Sequence, residues 1–324
     1  MSEAVAAAPP EEYYDRDDAE NVCLLCGRPR YQLLHEVRHF GFPFRFQRCA
    51  CGLVKQTPMP NRRFFEWFFN SDLFVSAKRS GSERIWGFYD YLKDEPSRLS
   101  TSRRRFHRLR GYFPDKPRLD VLKIGPSTGT FLHVAQQRGH HALGCDISSR
   151  FVAFARETYG VEIRQGRFEE LGLEAESFDV VLLFNVIENV PNLAELLAEV
   201  HRVLRPEGSF VLNFVDMRRN WLAALQRDRY FLFRPPICYI FDRHTMNAVL
   251  HRSGFETVAK LRDVRDLTLE KIATLLGWRW LLKLATLLRI AHRPFPLYAY
   301  PSRIVVARKA VAGGTAGNLT EIDR

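Results

Sequence analysis

From residue 119 the chain repeats one pattern, a short apolar run, a glycine turn and then apolar positions at helical spacing. LDVLKIG ends at Gly125, FLHVAQQRG is helical and stops at Gly139, HALGCDI is a second apolar run, and SRFVAFARETYG is a second helix closed by glycine. FDVVLLFNVI reads as a buried strand, LAELLAEVHRVL as a helix with apolar residues at i, i+3, i+4 and i+7, RPEG as a turn and SFVLNFV as a strand. Such alternation predicts an α/β fold, a Rossmann-like, doubly wound, mostly parallel sheet with helices on both faces. Farther on, HTMNAVLHRSGFETVAKL reads as a helix closed by Gly254 and a strand, residues 267 to 291 as a Leu- and Trp-rich helical stretch, and SRIVVARK as a last strand.

Before residue 119 the pattern differs. Between 62 and 110, aromatic clusters (FFEWFF, IWGFYDY) alternate with charged residues at helical spacing, which predicts two or three helices. The prolines of KQTPMPNRR place a boundary near 60. The chain therefore divides into a disordered leader (1–20), a Cys-rich module (21–60), a helical segment (61–118), the α/β domain (119–310) and a flexible tail (311–324).

The 324 residues, 46% of them hydrophobic, suffice for one large core and a smaller module. The net charge of +11 suits anionic partners, whether phosphorylated or nucleotide-linked substrates, RNA or an anionic membrane face, without choosing among them. The densest basic run, RRRFHRLR at 103 to 110, reads as a helix with Phe106 and Leu109 inward and its arginines in water, so nucleic acid is disfavoured as a partner. LLKLATLLRIA is interrupted by charge well short of the roughly 20 residues that span a bilayer. The amphipathic stretch 271–291 admits two readings, cover for the sheet edge or a helix lying on a membrane surface. Cysteine usage and an N-terminus without a secretory pattern predict a cytoplasmic protein.

Cys23 and Cys26 form a C-x-x-C knuckle followed by Gly27, and Cys49 and Cys51 a C-x-C followed by Gly52. Four thiolates from two such turns can surround a structural Zn²⁺ tetrahedrally, leaving no open position for chemistry. His35 or His39 could replace one thiol if C-x-C cannot close around the ion, and the alternative for the same cysteines is a pair of reversible disulfides or idle thiols.

The turn after the first strand, VLKIGPSTGTF, lets the backbone approach a ligand closely and aims a helix N-terminus at it. Asp146 ends the second strand 21 residues after Gly125, a distance at which an acid accepts hydrogen bonds from ribose hydroxyls. The Gly125, Ser127, Gly129 spacing does not fit G-x-G-x-x-G, which disfavours a dinucleotide.

VLKIGPSTGTFL, GCDIS, FDVVLLFNVIENVPN and LAEVHRVLRPEGSFVLNF together resemble the class I S-adenosylmethionine-dependent methyltransferases. CLLCG, RCACGLVKQTPMP, GFYDYLKDEP and FDRHTMNAVLHRSGFETV are similar to the subset with an N-terminal zinc-binding module, whose members modify sugars, surface-polysaccharide precursors or natural products. The resemblance implies that Gly125, Ser127 and Gly129 line the methionine end of S-adenosylmethionine and that Asp146 holds its ribose. It also implies that Ile147 lies along the adenine, Arg167 and Phe168 border it, Asn185 and Val186 close the floor, and Tyr89 and Tyr91 reach over the cofactor. Lys123 stands where the family usually has an acid facing the cofactor's ammonium, and Arg167 where it commonly has an Asp. Asn189 and Ile237 replace two usual histidines. These departures keep a second reading in view, a catalytically weakened relative serving as a binding or partner subunit. For an acceptor needing a base, the candidates are Glu188, His244 and Tyr239.

Overall fold

The structure, a computed structural model, describes residues 11–15, 22–29, 31–39, 42–71, 74, 94–217, 232–276, 278–288, 290–298 and 301–310. Tyr89, Tyr91, the tail from 311 and most of the expected leader fall outside the described residues.

In the Cys-rich region an antiparallel meander forms from β1 (Tyr31–His39), β2 (Phe42–Cys49) and β3 (Val54–Thr57). A two-residue strand from far along the chain, Tyr239–Ile240, pairs with β3 through Tyr239–Lys55 and Ile240–Val54. Helix α1 (Arg62–Asn70) begins at Asn61, whose side chain accepts from the backbone N–H of Arg63 and Phe64, and buries Phe64, Phe65 and Phe68. Helix α2 (Glu95–Leu109) buries Phe106 and Leu109 as expected. Its arginines depart from the expectation of water-facing charge. Arg104 pairs with Asp266, and Arg105 is buried in a bidentate pair with Asp263 at 2.9 and 2.6 Å.

The α/β region follows its pattern: β4 (Asp120–Ile124), α3 (Thr130–Gln136), β5 (His141–Asp146), α4 (Ser149–Tyr159), β6 (Glu162–Gln165), β7 (Phe178–Leu183), α5 (Leu193–Val203) and β8 (Leu204–Val215). Then come α6 (Arg243–Arg252), β9 (Phe255–Arg262), a small pair β10 (Arg265–Thr268) and β11 (Pro294–Leu297) flanking α7 (Leu269–Leu276) and α8 (Arg279–Leu287), and β12 (Ser302–Lys309). The sheet order is β9-β12-β8-β7-β4-β5-β6, parallel from β8 to β6 and antiparallel at β12 and β9. All six residues of β7 are buried, as a strand covered on both faces requires. RPEG is not a separate turn. It enters β8 as an irregularity between Leu204 and Ser209.

The meander and the sheet share one core. Phe44 and Phe46 of β2 are buried in the same cluster as Leu183, Phe210 and Phe241, and Phe46 meets Phe233 edge-on at 5.3 Å. The backbone N–H of Gln56 donates to Cys238 O at 2.8 Å, and that of Cys238 to Glu188 O at 2.7 Å. The metal-like module is thereby tied to the loop after β7, at the carboxyl edge of the sheet.

Candidate functional site

Chain order reverses direction across β4, with β5 on one side and β7 on the other. The crevice outside the carboxyl ends at such a switch point is where α/β sheets bind ligands. A cavity of ≈310 Å³ lies there. Its lining includes Lys123, Gly125, Ser127, Asp146, Ile147, Arg167, Phe168, Asn185 and Val186, so nine of the residues singled out in the sequence converge on one space.

The local chemistry explains the loop. Gly125 has φ +61°, and a Cβ there would stand 2.7 Å from Val186 Cγ2, so the β4 turn closes on Val186 only without a side chain. Gly129 is not among the lining residues. It holds φ +82° at the start of α3, where a Cβ would meet Ala155 at 2.8 Å. Gly125→Ala is expected to lower stability by about 1–2 kcal/mol from the left-handed backbone alone, read from denaturant melts, with a further loss from the Val186 clash.

Asp146 organises the turn. Its Oδ2 accepts from Ser127 N at 3.0 Å and its Oδ1 from Ser148 N at 2.9 Å, which leaves a lone pair on each oxygen for a ligand. The C-terminus of α1 clamps the same turn. Ser148 Oγ donates to Phe69 O at 2.9 Å, while Asn70 Oδ1 accepts from Ser149 N at 3.0 Å. Phe65, Phe69 and Phe74 thereby form an aromatic side of the cavity. Asn185, at φ +58°, is held by Asn213, whose Oδ1 accepts from Asn185 N at 2.6 Å and whose Nδ2 donates to Asn185 Oδ1 at 3.0 Å.

Lys123 is 6% exposed. Its Nζ donates to Gly125 O at 3.2 Å and sits 5.2 Å from the centre of the Phe184 ring. Burial first, and then the guanidinium of Arg105, push its pKa down to about 7, against the pull of Asp146. Glu188 does not pair with Lys123 and accepts from Val215 N at 2.9 Å. Arg167 lies 3.8 Å from Glu169 and 3.7 Å from Glu170.

The three acid–base candidates do not reach the cavity. Glu188 is buried behind it, and burial pushes its pKa up to about 7. Tyr239 is buried and donates its hydroxyl to Pro191 O at 3.1 Å. His244 is exposed in the first turn of α6, its backbone N–H donating to the capping Asp242 at 3.0 Å. Being near the carboxyl edge in sequence does not fix which way a side chain points, and these three point into the protein or to solvent.

Sequence reasoning missed the opposite wall, built by Ser97, Arg98, Thr101, Ser102 and Arg105 of α2 with Arg265, Asp266 and Lys271. Burial alone would raise the Asp263 carboxyl, but Arg105 and Arg265 reverse that and hold it well below the usual carboxylate range. Asp263 also accepts from Asn213 at 2.9 Å and Ser302 at 3.1 Å, so one buried carboxylate braces both α2 and the Asn185 floor. The one signal was an Asp-x-x-Asp at 263 and 266 facing an Arg-Arg at 104 and 105, pairs about 160 residues apart that no local pattern connects.

The donor sets fit the two groups the sequence implies. For the cofactor, the Gly125 cradle, the two free lone pairs of Asp146 and the buried, unpartnered Oγ atoms of Ser127 and Ser97 offer polar groups without internal partners. For the metal, the thiols of Cys23, Cys26, Cys49 and Cys51 lie within 4.8 Å of one another, with Sγ–Sγ distances of 3.5 Å (Cys23–Cys51) and 3.4 Å (Cys26–Cys49). A tetrahedral ion with Zn–S of about 2.3 Å needs sulfurs about 3.8 Å apart. The four cysteines form the cluster among the described residues without His35, whose ring packs on Phe233 at 4.5 Å; the side chain of His39 lies outside the described ones. Gly27 (φ +68°) and Gly52 (φ +96°) make the two turns.

The family model for a methyltransferase domain matches residues 122–212. A probable S-adenosylmethionine-dependent methyltransferase of Mycolicibacterium smegmatis is 37% identical over 95 residues, 29% of this chain and 37% of the relative. A ubiquinone biosynthesis O-methyltransferase of Pseudomonas aeruginosa is 30% identical over 156 residues, 46% of this chain and 67% of the relative. The chain spans only about a third to a half of several other curated relatives it matches. Among solved structures, magnesium protoporphyrin IX methyltransferase from Synechocystis PCC 6803 with bound SAH superposes with a TM-score of 0.51 at 16% identity, covering 77% of this chain and 100% of that one, a likeness of fold.

Proposed function

Because this chain belongs to the class I S-adenosylmethionine-dependent methyltransferases, we propose that it transfers a methyl group from that cofactor to a small-molecule acceptor, a sugar, a surface-polysaccharide precursor or a natural-product precursor. The observation that carries the reading is the convergence of the Gly125 turn, Asp146 and Phe168 on one cavity at the switch point of the sheet. Bound there, the sulfonium supplies an already activated methyl group. The chain's own task is to position the acceptor and exclude water. Asp146 holds the ribose, Ile147 and Phe168 flank the base, and Gly125 with Ser127 brings backbone and hydroxyl to the amino-acid end. The acceptor faces the wall of α2, Arg265 and Lys271. The cavity lining mixes cationic and acidic residues, and the cations are largely matched within the protein, Arg105 and Arg265 by Asp263, Lys271 by Asp94, Arg98 by Glu95 and Arg167 by Glu169. Calorimetric titration with S-adenosylmethionine, followed by methyl-transfer assays over nucleotide-linked sugars and acidic small molecules, tests the reading. Wild-type protein that takes up no cofactor would instead favour the weakened partner-subunit role.

We assign the four cysteines to a structural Zn²⁺. The meander they close shares its core with the sheet, so the ion stabilises more than its own loops. Removing zinc with a chelator is expected to lower the melting midpoint of the full chain by roughly 5 °C or more, consistent with a loss of a few kcal/mol. Metal analysis of the purified protein should give one zinc per chain. Unchanged melting after chelation would exclude a structural role.

A further inference from the structure

Helix α8 turns an apolar face outward. Trp280, Leu284, Leu287 and Leu288 recur at i, i+4, i+7 and i+8 and are 63%, 44%, 79% and 56% exposed. Trp278, 46% exposed, stacks on Trp280 with ring centres 6.2 Å apart. The opposite side is spent on the protein. Ala285 is buried, its carbonyl accepts from Ile290 N and Ala291 N, and α8 packs against α7. The sequence left two readings for this stretch, and the exposure of five large apolar side chains removes the one in which this face covers the sheet edge.

The charge around the face chooses the occupant. From Lys271 to Ala310 the chain contains no Asp and no Glu, while Lys271, Arg279, Lys283, Arg289 and Arg293 all fall within its first 23 residues. Lys283 lies exposed on α8 itself, and Arg293 is exposed just beyond it. A second copy docking through the same patch would bring like charges together, in a chain whose net charge is already +11. No described helix is long and apolar enough to cross a bilayer. Paired indoles with leucines on one face, exposed Lys283 and Arg293 in the same stretch and no acid from Lys271 to Ala310 match what an anionic bilayer surface binds, while the one acid just before that run, Glu270, is paired with His292 at 3.0 Å.

We propose that the outward face of α8 docks on the surface of an anionic phospholipid membrane. The leucines and indoles enter the headgroup boundary, and Lys283 and Arg293 meet lipid phosphates. The face belongs to the same helical hairpin as Lys271, which lines the cavity, so docking places one wall of the site beside the lipid surface. The proposal needs only the exposed face and stands whether or not the cavity performs methyl transfer.

Co-sedimentation of the full chain with phosphatidylcholine vesicles, with and without phosphatidylglycerol, tests it. Binding is expected only with phosphatidylglycerol, falling with added salt, and weakening more than about tenfold in the Trp280→Glu, Leu287→Glu double variant and measurably in Lys283→Glu. The altered side chains are exposed, and matched melting midpoints check that each variant is folded. The wild-type comparison between lipids and salts needs no variant at all. Failure of wild-type protein to bind phosphatidylglycerol vesicles, or equal binding by a folded double variant, overturns the proposal. Concentration-dependent dimerisation abolished by the double variant, without vesicle binding, would overturn it in favour of a second copy.

Discussion

Asp146→Ala is expected to weaken S-adenosylmethionine binding by at least about a hundredfold, measured by titration calorimetry. The carboxylate does two things at once. It accepts the backbone N–H of Ser127 and of Ser148, fixing the turn after β4 and the entry to α4, and on the proposed reading it offers its remaining lone pairs to the ribose. Each hydrogen bond to a charged group is worth about 1.5–3 kcal/mol, so losing the ribose contacts alone costs about 3 kcal/mol or more. Asp146→Asn separates the roles. The amide retains one acceptor oxygen and puts an N–H₂ beside the Ser127 or Ser148 N–H, so the turn is only half supported. It should fall between wild type and Asp146→Ala in affinity. Wild-type affinity in Asp146→Ala would show that the cofactor lies elsewhere.

The sequence made this residue findable because its information is local. A strand, a glycine turn and an acid at the end of the next strand are set by period and spacing, and the parallel sheet brings the ends of β4 and β5 together wherever the rest of the chain goes. The same holds for Phe168, Asn185 and Val186, each just past a strand. The opposite wall has no such signal. Arg105 reads as one more arginine on a solvated face until Asp263, 158 residues later, is seen beside it. Nor does anything near Cys23 announce that Tyr239–Ile240 completes its sheet, or that Asn70, at the end of a helix, clamps the turn holding Asp146. Glu188 shows the converse. It follows β7 at the carboxyl edge of the sheet, but its side chain turns back to Val215 N, a choice made by tertiary packing. What the sequence left out are long-range pairings and side-chain directions, which only the folded chain fixes.

Lys123 is where sequence and structure together yield a result that neither gives alone. The sequence places a cation where the family usually presents an acid to the cofactor's ammonium. The structure shows it buried, bonded to one loop carbonyl, with its pKa pushed down to about 7 by burial and by Arg105. A like charge about 5 Å away at an effective dielectric of about 20 costs about 3 kcal/mol, so the protonated and neutral forms of Lys123 should differ in cofactor affinity by about a hundredfold. The sign follows from the proton balance. Cofactor ammonium disfavours the protonated lysine, binding releases a proton wherever the free protein carries one, and affinity therefore rises with pH until the lysine is neutral in the free protein. S-adenosylmethionine affinity is accordingly expected to climb about tenfold per unit from pH 5 toward 7 and to level off above it. Lys123→Met, similar in length and without charge, should bind nearly as tightly at pH 5 as wild type does at pH 8, with little pH dependence between. Calorimetry in buffers of different ionisation enthalpy should detect the proton released by wild type near pH 6 and none by the variant. An affinity that falls with rising pH, abolished by Lys123→Met, would mean that the lysine grips the cofactor's carboxylate rather than opposing its ammonium.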